Sequence, residues 1–198
     1  AILGDIHVMI GVAYVVARIE EPGVVVQLGT VGRMVFGEMR GGISSRSKSL
    51  QQAFQMAGWN PELLHDAQRG VWQKYIYLVG VAGVSAASRM TYGEMRDSPE
   101  IHELVHGAWS EAMALARAKG IAIEKDTMEW AEGLLDSVSP NAFTSMAKDV
   151  IEGNRIELDG LTGTVVRLGK EMDVPTPINS TIYALLQPSA LRAGTLQS

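Results

Sequence analysis

A change of pattern near residue 45 constrains the fold of this chain most. Residues 7–38 are rich in valine and isoleucine, with turn signals at Glu21-Pro22-Gly23 and Thr30-Val31-Gly32. This pattern predicts three or four strands joined by tight turns. Such turns leave no room for a crossover helix, so neighbouring strands should pair antiparallel. Apolar residues recur at helical spacing from Ser45 onward. The chain is therefore predicted to be α+β, with a short antiparallel strand region followed by an all-α domain.

Helix boundaries are predicted from capping chemistry. Asn60-Pro61-Glu62, Ser98-Pro99-Glu100 and Ser139-Pro140-Asn141 each place a capping side chain before a proline that suits the first helical turn. The helix after Ser98 should end near Lys119-Gly120, where glycine suits the C-terminal cap. Further helices are predicted over residues 50–58, 70–88, 125–138, 142–152, 158–171 and 178–186.

Composition excludes several classes of function. A net charge of −5 without a cluster of lysine and arginine argues against a nucleic-acid partner. The chain has no cysteine, which excludes disulfides and thiolate metal sites. No signal peptide is visible, and residues 75–88 are fewer than the roughly 20 apolar residues of a membrane span. We therefore expect a cytoplasmic protein that does not enter a membrane.

The first residues suggest that the natural start of the protein is missing. The chain begins with Ala1 rather than methionine, and Ile2-Leu3-Gly4-Asp5 has the pattern of the end of an element. We therefore expect further residues upstream.

Lys74 is the only charged residue in the apolar residues 70–88. Its stem can lie on the core while the ammonium reaches water. Alternatively, the ammonium lies in a partly dry site, where desolvation lowers its pKa toward use as a proton donor. Helical spacing places four residues on the same face: Leu78, Val81, Ala82 and Ser85. A narrow face of mostly small residues can border a ligand pocket.

A second candidate site is an HExxH pattern. It puts His102 and His106 on one helix face, with Glu103 available as a general base for zinc-bound water. No third ligand is obvious, although Glu124 and Glu129 can be proposed. The alternative is a solvated helix face that carries two histidines.

Three segments, in this order, resemble the ketopantoate reductase (2-dehydropantoate 2-reductase) family. They are PGVVVQLGTVGRMVFGE at residues 22–38, VWQKYIYLVG at residues 71–80, and residues 143–186. The third segment is the most specific, because it contains Ser-Met-x-x-Asp, Arg-x-Glu-x-Asp-x-x-x-Gly and Pro-Thr-Pro-x-Asn. The resemblance covers nearly the whole chain.

The resemblance implies two domains with an active site in the cleft between them. Residues 1–65 would be the truncated C-terminal part of a Rossmann NADP-binding domain, with roughly 100 residues and the glycine-rich turn missing. Residues 66–198 would be a helical substrate and dimerisation domain of the 6-phosphogluconate dehydrogenase C-terminal type. The implied activity is NADPH-dependent reduction of a 2-oxo acid, as in pantothenate biosynthesis, by a homodimer. The chain as given should be inactive, because it lacks the cofactor domain.

The resemblance also implies roles for individual residues. Lys74 matches the general acid, and Ser145 matches the serine that binds the substrate carboxylate. Glu157 matches a hydrogen-bond partner for substrate or cofactor ribose hydroxyls. Leu78 and Ala82 stand where many members carry asparagine. The hydroxyl of ketopantoate would then meet an apolar wall, so a related 2-oxo acid without that hydroxyl should fit better.

Two hypotheses of other classes stay open. The long apolar helix could belong to a non-catalytic helical module that serves for dimerisation. His102 and His106 could hold the zinc ion of a hydrolase.

Overall fold

The computed structural model describes residues 4–194, and only the backbone of residues 16, 18 and 28–31. The prediction for Ile2 and Leu3 therefore lies outside the described residues. The chain falls into two compact units, residues 1–74 and residues 75–198. The domain assignment of 1–65 and 66–198 made from the sequence stays a prediction.

The first unit contains a three-stranded sheet in the order β1-β2-β3. Strand β1 (Met9–Glu21) pairs antiparallel with β2 (Val24–Glu38) around the predicted turn at Pro22-Gly23, where Gly23 has a φ of 88°. The second predicted turn, Thr30-Val31-Gly32, is wrong because β2 continues through it. The signal coincides instead with a register shift between the pairs Tyr14–Arg33 and Val16–Leu28, which is where glycine in a strand commonly marks a bulge.

The helix start predicted at Asn60-Pro61-Glu62 is wrong, because the end of this segment belongs to the sheet. Strand β3 (Glu62–Leu63) pairs in parallel with Val35 and Phe36 of β2. The next residue donates its backbone N–H to the Phe36 carbonyl at 2.8 Å. Helix α2 (Ala67–Ser88) begins only after Asp66, whose carboxylate accepts from the Arg69 amide at 3.1 Å.

The first unit also contains helix α1 (Ser45–Met56) and the part of α2 up to Lys74. Ser44 caps its N-terminus by accepting from the Ser47 amide at 3.1 Å. Phe54 of α1 lies edge-on to Phe36 of β2, with ring centroids 5.9 Å apart. The helix therefore contributes an aromatic side chain to the core that Val35 and Phe36 form on the sheet.

The second unit is entirely helical in its described part. After the C-terminal part of α2 it contains α3 (Tyr92–Asp97), α4 (Pro99–Ala118), α5 (Thr127–Ser137), α6 (Ser145–Glu152), α7 (Thr162–Glu171) and α8 (Pro177–Arg192). The α+β class, with strands followed by helices, is therefore confirmed. The predicted ends of the helix after Ser98 are also confirmed, since α4 has Pro99 in its first turn and ends just before Lys119.

Two other helix starts lie later than predicted. Residues 139–141 form a turn because the Pro140 carbonyl accepts from the Gly93 amide at 2.8 Å, which ties the segment to the start of α3. Helix α6 begins after Thr144. Residues 158–161 also form turns, and α7 follows them. In both segments tertiary contacts or local turns use the backbone groups that a longer helix would pair.

Trp109 of α4 is the largest side chain that is fully buried in the helical unit. Its Nε1 donates to the Tyr77 carbonyl of α2 at 3.0 Å, and its ring stacks on that of Tyr77 with centroids 6.1 Å apart. A Cβ atom at Gly80 would lie 2.4 Å from the indole, so glycine permits this close approach of α2 and α4. Every helix within residues 4–194 is either too short or too polar to span a bilayer.

Candidate active site

Lys74 lies on α2 as the last residue of the first unit. Its Nζ donates to the Ala13 carbonyl of β1 at 2.5 Å and lies 5.2 Å from the centroid of the Tyr14 ring. No carboxylate in the described part of the chain pairs with this ammonium. Desolvation lowers the pKa of Lys74, because burial penalises the charged form and no anion compensates.

The other residues of the predicted Lys74 face belong mostly to the core of the helical unit. Val81, Ala82 and Ser85 are buried, and the Ser85 hydroxyl donates to the Met90 carbonyl at 2.8 Å. Leu78 is only partly buried. Of the two positions at which the resemblance implies asparagine, 78 and 82, Leu78 is therefore the one whose side chain keeps exposed surface.

Ser145 is the first residue of α6 and is exposed. Thr144 before it caps the helix, since its Oγ1 accepts from the Ala147 amide at 3.1 Å. Met146 and Ala147 anchor the first turn in the core. The Ser145 side chain makes no hydrogen bond with the described residues. It therefore presents a free hydroxyl at a helix N-terminus, where an anion is stabilised.

Two residues of the Arg-x-Glu-x-Asp-x-x-x-Gly motif, Asp159 and Gly163, support the fold. Asp159 accepts from Arg167 Nη1 at 2.7 Å and from the Tyr183 hydroxyl at 3.3 Å. A Cβ atom at Gly163 would lie 2.8 Å from the Tyr183 ring, so only glycine lets α8 approach α7 here. Hydrogen bonding therefore explains Asp159, and helix packing explains Gly163.

Glu157 has no such structural explanation. The neighbouring Ile156 and Leu158 are buried at 2% and 0% exposure, whereas Arg155 and Glu157 are exposed. Exposed and buried residues alternate from Arg155 to Leu158, and residues 154–157 lie outside any helix. The Glu157 carboxylate has no hydrogen-bond or ion-pair partner in the described part of the chain. It is therefore available to a ligand with hydroxyl donors.

The Pro-Thr-Pro-x-Asn motif has a structural role that depends on Glu111, which the sequence analysis missed. The Glu111 carboxylate of α4 accepts from the backbone amides of Ile178 and Asn179 at 2.7 and 2.9 Å. It also accepts from the Asn179 side chain at 2.7 Å. Asn179 is fully buried. Glu111 therefore caps α8 from a neighbouring helix, and no local signal marks a cap 67 residues away.

We expect Glu111→Gln to destabilise the helical unit by about 1.5–3 kcal/mol. The amide keeps the shape but removes the charge that strengthens three hydrogen bonds, and it turns a donor toward the donors of α8. Urea unfolding followed by circular dichroism measures this loss. Glu103→Gln, at an exposed position of α4, is the matched control and should change stability little. Equal effects of the two variants would contradict the capping role.

The HExxH histidines meet a third ligating side chain from another helix. His102 Nε2 and His106 Nε2 each lie 2.6 Å from one oxygen of Glu132 on α5. The third ligands considered from the sequence, Glu124 and Glu129, are not part of this cluster, and neither is Glu103. The sequence could not identify Glu132, because the loop between α4 and α5 decides which face of α5 meets the histidines.

The predicted active-site residues divide between the two units. Lys74 belongs to residues 1–74, whereas Ser145 and Glu157 belong to residues 75–198. No hydrogen bond joins Ser145 to Glu157 among the described residues. Their joint role in one site stays a prediction.

Comparison with known proteins gives a consistent set of matches. A family model described as ketopantoate reductase PanE/ApbA C terminal matches residues 66–190. The chain is 28% identical over 180 residues to a 2-dehydropantoate 2-reductase of Halobacterium salinarum, covering 91% of this chain and 59% of that protein. The chain therefore spans about three fifths of the length of this relative.

Solved structures show the same fold. A 2-dehydropantoate 2-reductase from Methylococcus capsulatus matches with a TM-score of 0.82 and 27% identity, covering 96% of this chain and 64% of that one. A D-mandelate dehydrogenase bound to NADH and anilino(oxo)acetate matches with a TM-score of 0.85 and 19% identity. The match covers 97% of this chain and 62% of that one. At 19% identity it shows a shared fold only.

Proposed function

Because the chain belongs to the ketopantoate reductase family, whose C-terminal model matches more than half of it, we propose that it is the substrate-binding part of an NADPH-dependent 2-oxo acid reductase. The substrate is 2-dehydropantoate, reduced to pantoate, or a related 2-oxo acid. The observation that carries this proposal is the Lys74 ammonium, which is partly buried, pairs with no described carboxylate, and donates to a carbonyl oxygen.

Lys74 is the proposed general acid. Its lowered pKa makes the loss of a proton easier than for an exposed lysine. The proton would pass from Nζ to the ketone oxygen of the substrate as negative charge develops there. The neutral amine still carries N–H donors, so its hydrogen bond to the Ala13 carbonyl can persist through the step. This bond would keep Nζ in place during turnover.

Ser145 and Glu157 are the proposed binding residues. The exposed Ser145 hydroxyl and the amides at the start of α6 would bind the substrate carboxylate. The unpaired Glu157 carboxylate fits hydroxyl donors, either of the substrate or of the cofactor ribose. A bound nicotinamide supplies the hydride. NADPH is proposed from family membership. The assay should also test NADH, because D-mandelate dehydrogenase, which has a related fold, binds NADH.

A homodimer through the helical domain is part of the proposal. An apolar groove of about 390 Å³ on this unit is lined by residues of α2, α4 and α8. Two of its side chains, Leu104 and Leu185, are 41% and 64% exposed. Burying this apolar surface against a second copy of the chain would be favourable.

The alternative of a non-catalytic dimerisation module would be favoured if the complete gene product binds no nicotinamide nucleotide. A cytoplasmic location also stays a prediction.

We expect the complete gene product to oxidise NADPH with a 2-oxo acid and to prefer a substrate without the ketopantoate hydroxyl. Leu78 cannot form a hydrogen bond with that hydroxyl, and an unpaired polar group costs about 1–3 kcal/mol, or about 5- to 160-fold in kcat/KM. The measurement compares kcat/KM for ketopantoate and for 3,3-dimethyl-2-oxobutanoate, which has the same skeleton without the hydroxyl.

The Leu78→Asn variant is the matched test of this preference. An amide at this position offers both a donor and an acceptor. The ratio of kcat/KM for ketopantoate to kcat/KM for 3,3-dimethyl-2-oxobutanoate should therefore rise. A wild-type preference for ketopantoate that Leu78→Asn leaves unchanged would remove Leu78 from the substrate site. The absence of NADPH oxidation with either acid would contradict the reductase itself.

A further inference from the structure

The cluster of His102, His106 and Glu132 joins two helices of the helical unit through three ligating side chains. His102 and His106 lie one turn apart on α4, and their ring centroids are 4.6 Å apart. Glu132 reaches them from α5, with one carboxylate oxygen 2.6 Å from each Nε2. A ring nitrogen of each histidine and a carboxylate oxygen of Glu132 lie within 4.8 Å of one another.

The side chains of the cluster are both accessible and oriented. They are 31%, 36% and 28% exposed, so an ion can reach them from solvent. The His106 ring packs on the fully buried Trp109, with centroids 5.3 Å apart. This contact limits the rotation of the imidazole. A rigid ligand presented by a packed helix loses little conformational entropy when an ion binds.

We propose that this cluster binds a divalent transition-metal ion of the zinc type. Two imidazole nitrogens and one carboxylate oxygen are a ligand set that zinc uses in proteins, with water in the fourth position. Magnesium and calcium bind oxygen ligands instead, so a site with two imidazoles discriminates against them.

Metal binding would replace the two hydrogen bonds to Glu132. An ionised carboxylate only accepts hydrogen bonds, so each Nε2–O contact of 2.6 Å requires the imidazole to carry its proton on Nε2. A metal requires the lone pair on Nε2, so each imidazole would carry its proton on Nδ1 in the metal-bound state. Bond lengths of about 2.0–2.2 Å in a tetrahedral site place ligand atoms roughly 3.3–3.6 Å apart. Rotation of the flexible Glu132 side chain would lengthen its two contacts with the imidazoles from 2.6 Å into this range.

The site is a clamp between helices rather than the centre of a hydrolase. Glu103, the general base of the HExxH pattern, is exposed and lies outside the cluster. A bound ion would instead link α4 to α5. Because it binds only the folded arrangement, it would stabilise the unit. This site shares no residue with the proposed reductase site, so either proposal can fail without the other.

The test is zinc binding to the chain purified without a polyhistidine tag and freed of metal by EDTA. Isothermal titration with Zn²⁺ should give one ion per chain, and Zn²⁺ should raise the melting temperature whereas Mg²⁺ should not. Co²⁺ should produce the visible absorption of a tetrahedral nitrogen and oxygen site. His106→Gln and Glu132→Gln should each weaken Zn²⁺ binding by at least about 10-fold, since even the loss of a partner that only supports a ligand costs that much.

His65→Gln is the matched control, because His65 is an exposed histidine outside the cluster. It should leave the affinity unchanged. Circular dichroism verifies that each variant is folded before the titration is interpreted. The proposal is overturned if the wild-type chain binds no stoichiometric zinc, or if folded His106→Gln and Glu132→Gln chains bind it as tightly as the wild type. In that case the three side chains form a hydrogen-bonded cluster only.

Discussion

Lys74→Ala is expected to lower kcat about 10²- to 10⁴-fold in the complete gene product, the range that a positioned general acid supplies. Alanine removes the only proton donor proposed for the ketone oxygen. Binding of the 2-oxo acid should change less, because Ser145 is the residue proposed to hold its carboxylate. A large fall in kcat with a smaller change in KM is therefore the expected signature.

The pH dependence of the same reaction provides a second readout. A general acid must be protonated, so kcat/KM should fall as the pH rises through the pKa of Lys74. Burial lowers this pKa, so the fall should begin at a lower pH than the titration of an exposed lysine. In Lys74→Arg the guanidinium stays charged over this range, so the alkaline fall should disappear together with most of the rate.

Lys170→Ala is the matched control for both measurements. Lys170 is an exposed lysine in the last turn of α7, and its loss should leave kcat and the pH profile unchanged. Thermal unfolding should show that the Lys74 variants stay folded, since this side chain is partly exposed. A Lys74→Ala enzyme with an unchanged rate would exclude Lys74 as the proton donor.

Trp109→Ala is expected to destabilise the helical unit by about 3–5 kcal/mol, as for other buried aromatic residues. The indole is fully buried, stacks on Tyr77 and donates to its carbonyl. Its removal would leave a cavity between α2 and α4 and would delete the hydrogen bond from the indole to the Tyr77 carbonyl. Gly80 faces the indole and has no side chain, so it cannot fill that space.

Urea unfolding monitored by far-ultraviolet circular dichroism measures this effect. Trp109→Phe keeps an aromatic ring but loses the Nε1 donor, so its loss of stability should be smaller than that of the alanine variant. Trp59→Ala is the control, because Trp59 lies in the first unit and is 36% exposed. A loss below about 1 kcal/mol for Trp109→Ala would contradict the importance of this contact.

Local chemistry predicted those elements whose ends depend on neighbouring residues. Helix α4 has Pro99 in its first turn, and its chain turns at Gly120 with a φ of 77°. Both signals lie within two residues of the helix end that they mark. The resemblance to ketopantoate reductases, drawn from short motifs, is likewise confirmed by the family model over residues 66–190.

The same local chemistry predicted helix starts wrongly where the backbone forms hydrogen bonds with residues distant in the sequence. Pro61 and Pro140 both follow good capping residues, yet neither starts a helix. Glu62 and Leu63 pair with β2, and the Pro140 carbonyl accepts from Gly93. A capping side chain contributes about 1 kcal/mol, which several tertiary hydrogen bonds and the burial around them exceed.

The sequence by itself determined the division into strands and helices, the position of one lysine in an apolar helix, and the motifs of the family. The tertiary structure decided which motif residues support the fold and which stay available. Asp159, Gly163 and Asn179 are used in packing and hydrogen bonds, whereas Ser145 and Glu157 have no described partner. The reason is physical: partners such as Glu111 and Glu132 lie tens of residues away, and only the folded chain brings their atoms within hydrogen-bond distance.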